Sequence, residues 1–143
     1  MSVPPPIRLI RHSPLALRLH LKLDALQGLL NDHSFWAAGR SRDDLRRMLN
    51  GSQAIVSAWR GQELVGFGRA TSDGIFRAVL WDVVVAKPLQ GRGLGRQLVE
   101  ALLRHRLVAA VERVYLMTTN SAGFYQRLGF EEEHGQRLLL KAR

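Results

Sequence analysis

The spacing of apolar positions changes near residue 53, dividing the chain into a helical front and a β-rich middle. After the stiff, extended lead-in Pro4-Pro5-Pro6, Ile7, Leu9 and then His12 mark out a first strand against polar neighbours. Between Pro14 and Asn31, Leu15, Leu19, Leu23, Leu26, Leu29 and Leu30 recur near helical spacing, which predicts one helix stopped at Asn31-Asp32. Ser41 stands before Arg42-Asp43-Asp44-Leu45, a cap followed by acidic residues in a first turn. It predicts a short second helix ending near Asn50-Gly51.

From residue 53 the period becomes two. Residues 54–59 and 63–70, separated by Arg60-Gly61-Gln62, predict a β-hairpin. Thr71-Ser72-Asp73-Gly74 reads as a turn, and residues 75–85 as a third long strand ended by Lys87-Pro88. Leu94, Leu98, Ala101, Leu102 and Val108 mark one face of a long helix that begins inside a glycine-rich loop. Residues 114–117 predict a short strand, residues 122–128 a short helix, and Gly129-Phe130 a turn into a last strand ending in Leu138-Leu139-Leu140. The expected architecture is a single α/β (α+β) domain over residues 1–143, without repeats, with a β-β-β-α-β-α-β core in its second half.

Composition narrows the chemistry more than it names it. The 143 residues, 46% of them hydrophobic, suffice to bury a core, and the absence of cysteine removes disulfides, thiolate zinc sites and a cysteine nucleophile. The first residues show neither the basic start nor the apolar core of a signal peptide, and no uncharged run approaches a membrane span. A soluble, cytoplasmic protein without a membrane partner is the expectation. The formal charge of +9 favours anionic partners, but the arginines are scattered from Arg8 to Arg143, as a coding bias would scatter them. A nucleic-acid module has only this charge in its favour and ranks last. The five histidines, His12, His20, His33, His105 and His134, show no metal spacing and read as surface or packing residues; no metal is expected.

The segment Gln90-Gly91-Arg92-Gly93-Leu94-Gly95-Arg96 carries the functional signal. Small residues let a backbone approach a ligand closely, and a helix start with unpartnered N–H groups attracts anions. The dinucleotide fingerprint fits Gly91 and Gly93 but meets Arg96 where the third glycine belongs, and no Gly-Lys-Ser/Thr of a P-loop follows. Oxidoreductase and NTPase readings both weaken.

What remains, Gln-x-x-Gly-x-Gly directly after a strand, resembles the acetyl-CoA loop of the GNAT superfamily of N-acetyltransferases. Val83-Val84-Val85-Ala86-Lys87-Pro88-Leu89 is similar to that family's fourth strand and exit, and Ala122-Gly123-Phe124-Tyr125-Gln126-Arg127-Leu128-Gly129-Phe130 to its second signature. The resemblance covers residues 53–131 and is finest to the small cyanobacterial and plastid-type members, some of which acetylate arylalkylamines and some protein amino groups. It implies a mixed, mostly antiparallel sheet flanked by helices, acetyl-CoA as co-substrate and direct transfer to a primary amine: aryl or alkylamine, polyamine, protein lysine or N-terminus. A non-catalytic acyl-CoA sensor or scaffold of the same fold is the alternative, and a homodimer is compatible with the family.

By the same resemblance, backbone N–H groups of Val83, Val84 and Val85 hold the acyl carbonyl. Gln90, Gly91, Arg92, Gly93, Leu94, Gly95 and Arg96 hold the pyrophosphate, with Arg92 and Arg96 either pairing with it or simply solvated. Tyr125 is the expected acid, since a phenol of pKa ~10 can protonate a departing thiolate. Many members carry an asparagine seven residues before that tyrosine. Here Thr118 holds the position and becomes the candidate coenzyme contact, Asn120 standing two residues later. Asp82 in the apolar run Leu80-Trp81-Asp82-Val83-Val84-Val85 has three readings: catalytic base, anchor for a cationic acceptor, or structural ion pair. Trp81 alternates to the opposite side of an ideal strand, so it joins Asp82 at the acceptor only if the strand twists or bulges there. Phe35 and Trp36, between the first two helices, read as acceptor wall or as core.

Overall fold

The computed structural model describes residues 3–13 and 16–143. Five strands, β1 (Ile7–Arg11), β2 (Ala54–Arg60), β3 (Glu63–Ser72), β4 (Arg77–Val85) and β5 (Arg113–Leu116), form one sheet in sequence order. The first four are antiparallel to their neighbours. β5 runs parallel to β4, a pairing that needs a helical crossover. That crossover is α4 (Leu94–Arg104) and α5 (Arg106–Ala109). The helices α1 (Leu17–His20), α2 (Leu23–His33) and α3 (Arg42–Asn50) lie between β1 and β2, and α6 (Ala122–Gln126) follows β5. This is the mixed, mostly antiparallel sheet with flanking helices expected above.

The hairpin of β2 and β3 turns at Gly61 (φ +62°), the first central position of a two-residue loop, where a type II′ turn takes glycine. On β3, Gly66 and Gly68 share a face, and a Cβ added to either would stand 3.0 Å from Leu98 or Leu102 of α4. Their missing side chains let α4 lie close against the sheet. Trp59 and Phe67, fully buried, fill the core with the leucines of α2 and α4. Ser41 caps α3 as predicted, accepting from the Asp44 N–H at 3.1 Å.

Several expected elements differ from the spacing. The predicted single helix of residues 14–31 is two: α1 and α2 part at Leu21-Lys22, where Lys22 leaves helical geometry (φ −129°, ψ 44°). Pro14 and Leu15 lie outside the described residues. β4 begins at Arg77 rather than residue 75, because the Asp73 carboxylate accepts the backbone N–H groups of Ile75, Phe76 and Arg77 and holds Ile75 and Phe76 in a loop. The long helix predicted to reach Val108 breaks at His105 (ψ 137°), whose ring Nδ1 accepts the Leu107 N–H and caps α5. The second signature's helix spans residues 122–126 rather than 122–128.

The last predicted strand is absent. Beyond Phe130 the chain has no regular structure, and Leu138, Leu139 and Leu140 are exposed. Side chains rather than backbone ladders tether this tail beside β5: Arg113 pairs with Glu133, and the Tyr115 hydroxyl donates to Gln136 at 3.2 Å.

Candidate active site

β4 and β5 stay paired only from Arg77↔Arg113 to Leu80↔Leu116. Past Leu80, β4 continues to Val85 with a neighbour on its β3 side alone, while the chain after Leu116 turns away toward α6. The divergence opens a cleft of about 430 Å³ lined by Phe35, Trp36, Leu80, Trp81, Asp82, Val83, residues 116–121, Tyr125 and Leu138. Backbone groups of β4 facing β5 lose their ladder partners there and can hold a carbonyl.

The parting coincides with a bulge. Trp81 pairs with Arg69 and Val84 with Phe67, so Asp82 and Val83 together stand opposite Gly68. Asp82 adopts a left-handed conformation (φ +54°), one that aspartate tolerates better than most side chains. Bulges bend and twist a strand, and this one brings Trp81 and Asp82 to the same cleft, the condition set by their alternation.

Asp82 does not face the cleft as a free carboxylate. Its Oδ2 accepts from Arg69 Nε at 2.8 Å and Arg40 NH1 at 2.9 Å, and its Oδ1 from Trp36 Nε1 at 3.0 Å and Arg40 NH2 at 3.3 Å. Burial alone would raise its pKa. The hydrogen bonds and charges of Arg40 and Arg69 outweigh burial and hold the carboxyl below its ordinary value. Of the three readings, this arrangement is the ion-paired one: every lone pair that could take a substrate proton already has a donor. Trp36 takes part through its N–H, while Phe35 stacks edge-on against it at 5.1 Å with much of its ring exposed. The pair is a wall of the cleft, not core.

Arg40 and Arg69, the partners of Asp82, are the residues of the site that sequence reading did not name. A buried carboxylate in a strand signals that a cation must exist. Which one follows only from the fold, since Arg40 lies 42 positions away.

Tyr125 lies on α6 at the cleft, half-buried between Phe124 (4.9 Å, edge-on) and Phe130 (5.9 Å, edge-on). Burial pushes its pKa above the ordinary phenol value, and its hydroxyl has no hydrogen-bond partner among the described residues. Thr118 lines the same cleft, although its hydroxyl accepts the Ser121 N–H at 3.0 Å and so shapes the loop into α6.

The glycine-rich loop borders β4's exit rather than lining the cleft. Gly91 (φ +80°) and Gly93 (φ +85°) are left-handed, Gly93 is the N-cap of α4, and a Cβ on either would meet nothing within 4 Å. The open space above them and the unpartnered first N–H groups of α4 fit a phosphate-bearing ligand. Gln90, exposed, donates its side-chain amide to the Val85 carbonyl at 3.0 Å and so ties the loop to β4. Leu94 is buried in the core, and Gly95 packs against Phe124, whose Cζ would stand 3.3 Å from an added Cβ. Of the two arginines, Arg92 is exposed and Arg96 pairs with Glu100 at 2.8 Å, an exposed ion pair weak enough to exchange partners. Val84 points into the core while its backbone pairs with Phe67, and Val83 and Val85 are half-buried on the other face.

A family model described as the acetyltransferase (GNAT) family matches residues 23–130. Arabidopsis thaliana "GCN5-related N-acetyltransferase 2, chloroplastic" is 44% identical over 73 residues, 50% of this chain and 28% of that protein. Rice (Oryza sativa subsp. japonica) "Serotonin N-acetyltransferase 2, chloroplastic" is 39% identical over 97 residues, 64% of this chain and 48% of that protein. Further matches are to plastid and cyanobacterial proteins named as N-acetyltransferases. The chain spans less than half the length of the first curated relatives it matches. Among solved structures, a Xanthomonas campestris pv. campestris protein assigned to the GNAT family superposes with a TM-score of 0.78 at 25% identity, over 99% of this chain and 95% of that one.

Proposed function

The chain belongs to the acetyltransferase (GNAT) family, and from that premise we propose that it moves an acetyl group from acetyl-CoA directly to a primary amine. The observation that carries the proposal is the cleft itself: unpaired β4 backbone on one side and the Tyr125 hydroxyl on the other, next to a helix start that suits a pyrophosphate. In this reading the N–H of Val85, on the side of β4 that has no neighbouring strand, orients and polarises the thioester carbonyl, while Val84 is turned toward Phe67 of β3. The N–H groups of residues 91–96 hold the pyrophosphate, and Thr118 contacts the coenzyme arm.

The amine attacks as its neutral form, its nitrogen bonding to the carbonyl carbon as the C–S bond breaks. Tyr125 gives its proton to the leaving sulfur, and the proton shed by the nitrogen leaves through water to restore the phenol. No carboxylate base is required, which agrees with Asp82 being spoken for by two arginines.

The wall of Phe35, Trp36 and Trp81 supports an aryl amine as acceptor. Among the described residues that line the cleft, Asp82 is the one carboxylate, and its pairing argues against a polyamine, which would need several free anions. The name of the rice relative points the same way. The test is thiol release from acetyl-CoA with a panel of aryl monoamines, polyamines and lysine peptides, beside thermal shift with acetyl-CoA. Turnover of aryl monoamines above the rest is expected. The absence of both a thermal shift with acetyl-CoA and thiol release with any acceptor would end the proposal.

A further inference from the structure

Asp82 is too well satisfied to be a reagent and too well placed to be idle. Its carboxylate joins three separate parts of the site: the loop between α2 and α3 through Trp36 and Arg40, strand β3 through Arg69, and the bulge of β4 on which it sits. We propose that Asp82 and Arg40 are positioning residues forming a latch that fastens the Phe35-Trp36 wall to the bulged strand and so fixes the acceptor side of the cleft. The inference rests on the acetyl-transfer reading for its catalytic consequence, though not for the latch itself.

The geometry separates the latch from ordinary ion pairing. Apart from those to Asp82, the hydrogen bonds seen at the α2–α3 loop run to the flanking helices and within the loop, with Ala37 buried in the core: Ser34 Oγ donates to the Leu30 carbonyl and accepts from Ala37 N–H, Asn31 accepts from Gly39 N–H, Gln27 donates to the Arg40 carbonyl, and Arg40 NH1 reaches Met48 Sδ. Those bonds shape the loop on its helices but do not bind it to the sheet. The Arg40 fork reaches both carboxylate oxygens, a two-point contact that sets angle as well as distance, and Trp36 adds a third point from the aromatic wall itself. Side-chain exposure falls from 32% at Arg40 to 16% at Arg69 and 5% at Asp82, so the latch is anchored inside and approached from the rim. Arg69 keeps Asp82 paired when Arg40 is removed, which makes the rim half of the latch open to mutation without leaving a bare buried charge.

Two measurements test this. Arg40→Gln is expected to raise the acceptor KM about tenfold while leaving the acetyl-CoA KM within about twofold, because a displaced wall costs orientation on one substrate only. Trp36→Phe, which keeps a flat ring but loses the N–H donor, is expected to show part of the same effect, and Arg40→Lys to restore part of it. Independently of turnover, hydrogen exchange of amides in residues 35–40 is expected to quicken about tenfold in Arg40→Gln while β4 stays protected. Unchanged loop exchange together with an unchanged acceptor KM would overturn the latch. So would an Asp82→Asn variant with wild-type loop exchange whose pH–rate profile has lost an acidic limb, for that carboxylate would be a base. If the wild type acetylates nothing, the catalytic reading fails alone, and the exchange measurement still decides the latch.

Discussion

A tyrosine wedged between two phenylalanines keeps its proton to higher pH than one in water, so Tyr125 holds the proton that a general acid must deliver at neutral pH, although burial makes it the weaker acid. Removing only the hydroxyl isolates this role, since Tyr125→Phe preserves the ring that packs with Phe124 and Phe130. The variant is expected to lose about 10²-fold or more in kcat with little change in the acetyl-CoA KM. Stopped thiol-release assays check it, and an unchanged kcat would assign thiolate protonation to water. At this scale Tyr125 was legible because its motif is local: an aromatic pair followed by Gly129-Phe130. Asp82 was legible as an anomaly only. Its role depends on Arg69 lying across a bulge and on Arg40 at the far end of another connection, and neither relation leaves a mark on residue spacing.

Among the elements, strands were read more truly than helix ends. Period two shows in the burial of β4, whereas β2 and β3 are buried on both faces, β3 lying between α2 and α4, and Gly66 and Gly68 make its α4 face flat enough for that helix. What spacing could not reveal were side chains that intercept the backbone. Asp73 withholds the first residues of the expected third strand, and His105 ends α4 by capping the next turn. The tail failed as a strand because three consecutive leucines lack alternation and its tethers to β5 run through side chains. The element most directly testable is the start of α4. Gly93 is left-handed with free space around it, so Gly93→Ala adds strain without a clash. A stability loss of about 1 kcal/mol is expected, read as a fall in Tm of a few degrees, together with a smaller thermal shift on adding acetyl-CoA. An undiminished acetyl-CoA shift would place the pyrophosphate elsewhere.

Over the whole molecule, one buried contact ties the first strand to the sheet and gives stability a pH dependence. His12 follows β1 and donates its backbone N–H to Ile55, while its ring Nε2 stands 2.6 Å from Ser57 Oγ, which also accepts from Trp59 Nε1 at 2.7 Å. With the Trp59 donor in place, the Ser57 hydroxyl proton points to a neutral imidazole; a protonated ring would leave that proton without an acceptor. Burial, helped by the charge of Arg18, lowers the His12 pKa from 6.5 to about 4. The unfolded chain therefore takes up a proton near pH 6.5 that the folded chain refuses until about pH 4, so stability falls across that window as pH drops and levels off below it. His105, also lowered by burial, acts in the same direction. Asp82 and Asp73 act in a separate window: their depressed pKa values keep their contribution intact above the ordinary carboxylate pKa of 3.8 and release it only below. Denaturant midpoints measured from pH 7 to pH 4.5 should thus fall in the wild type and fall much less in His12→Gln, with His105 contributing to the slope that remains. If His12→Gln kept the full slope, the acid sensitivity would lie outside the contact between β1 and β2, and Ser57 would have to accommodate a charged ring at no cost to the fold.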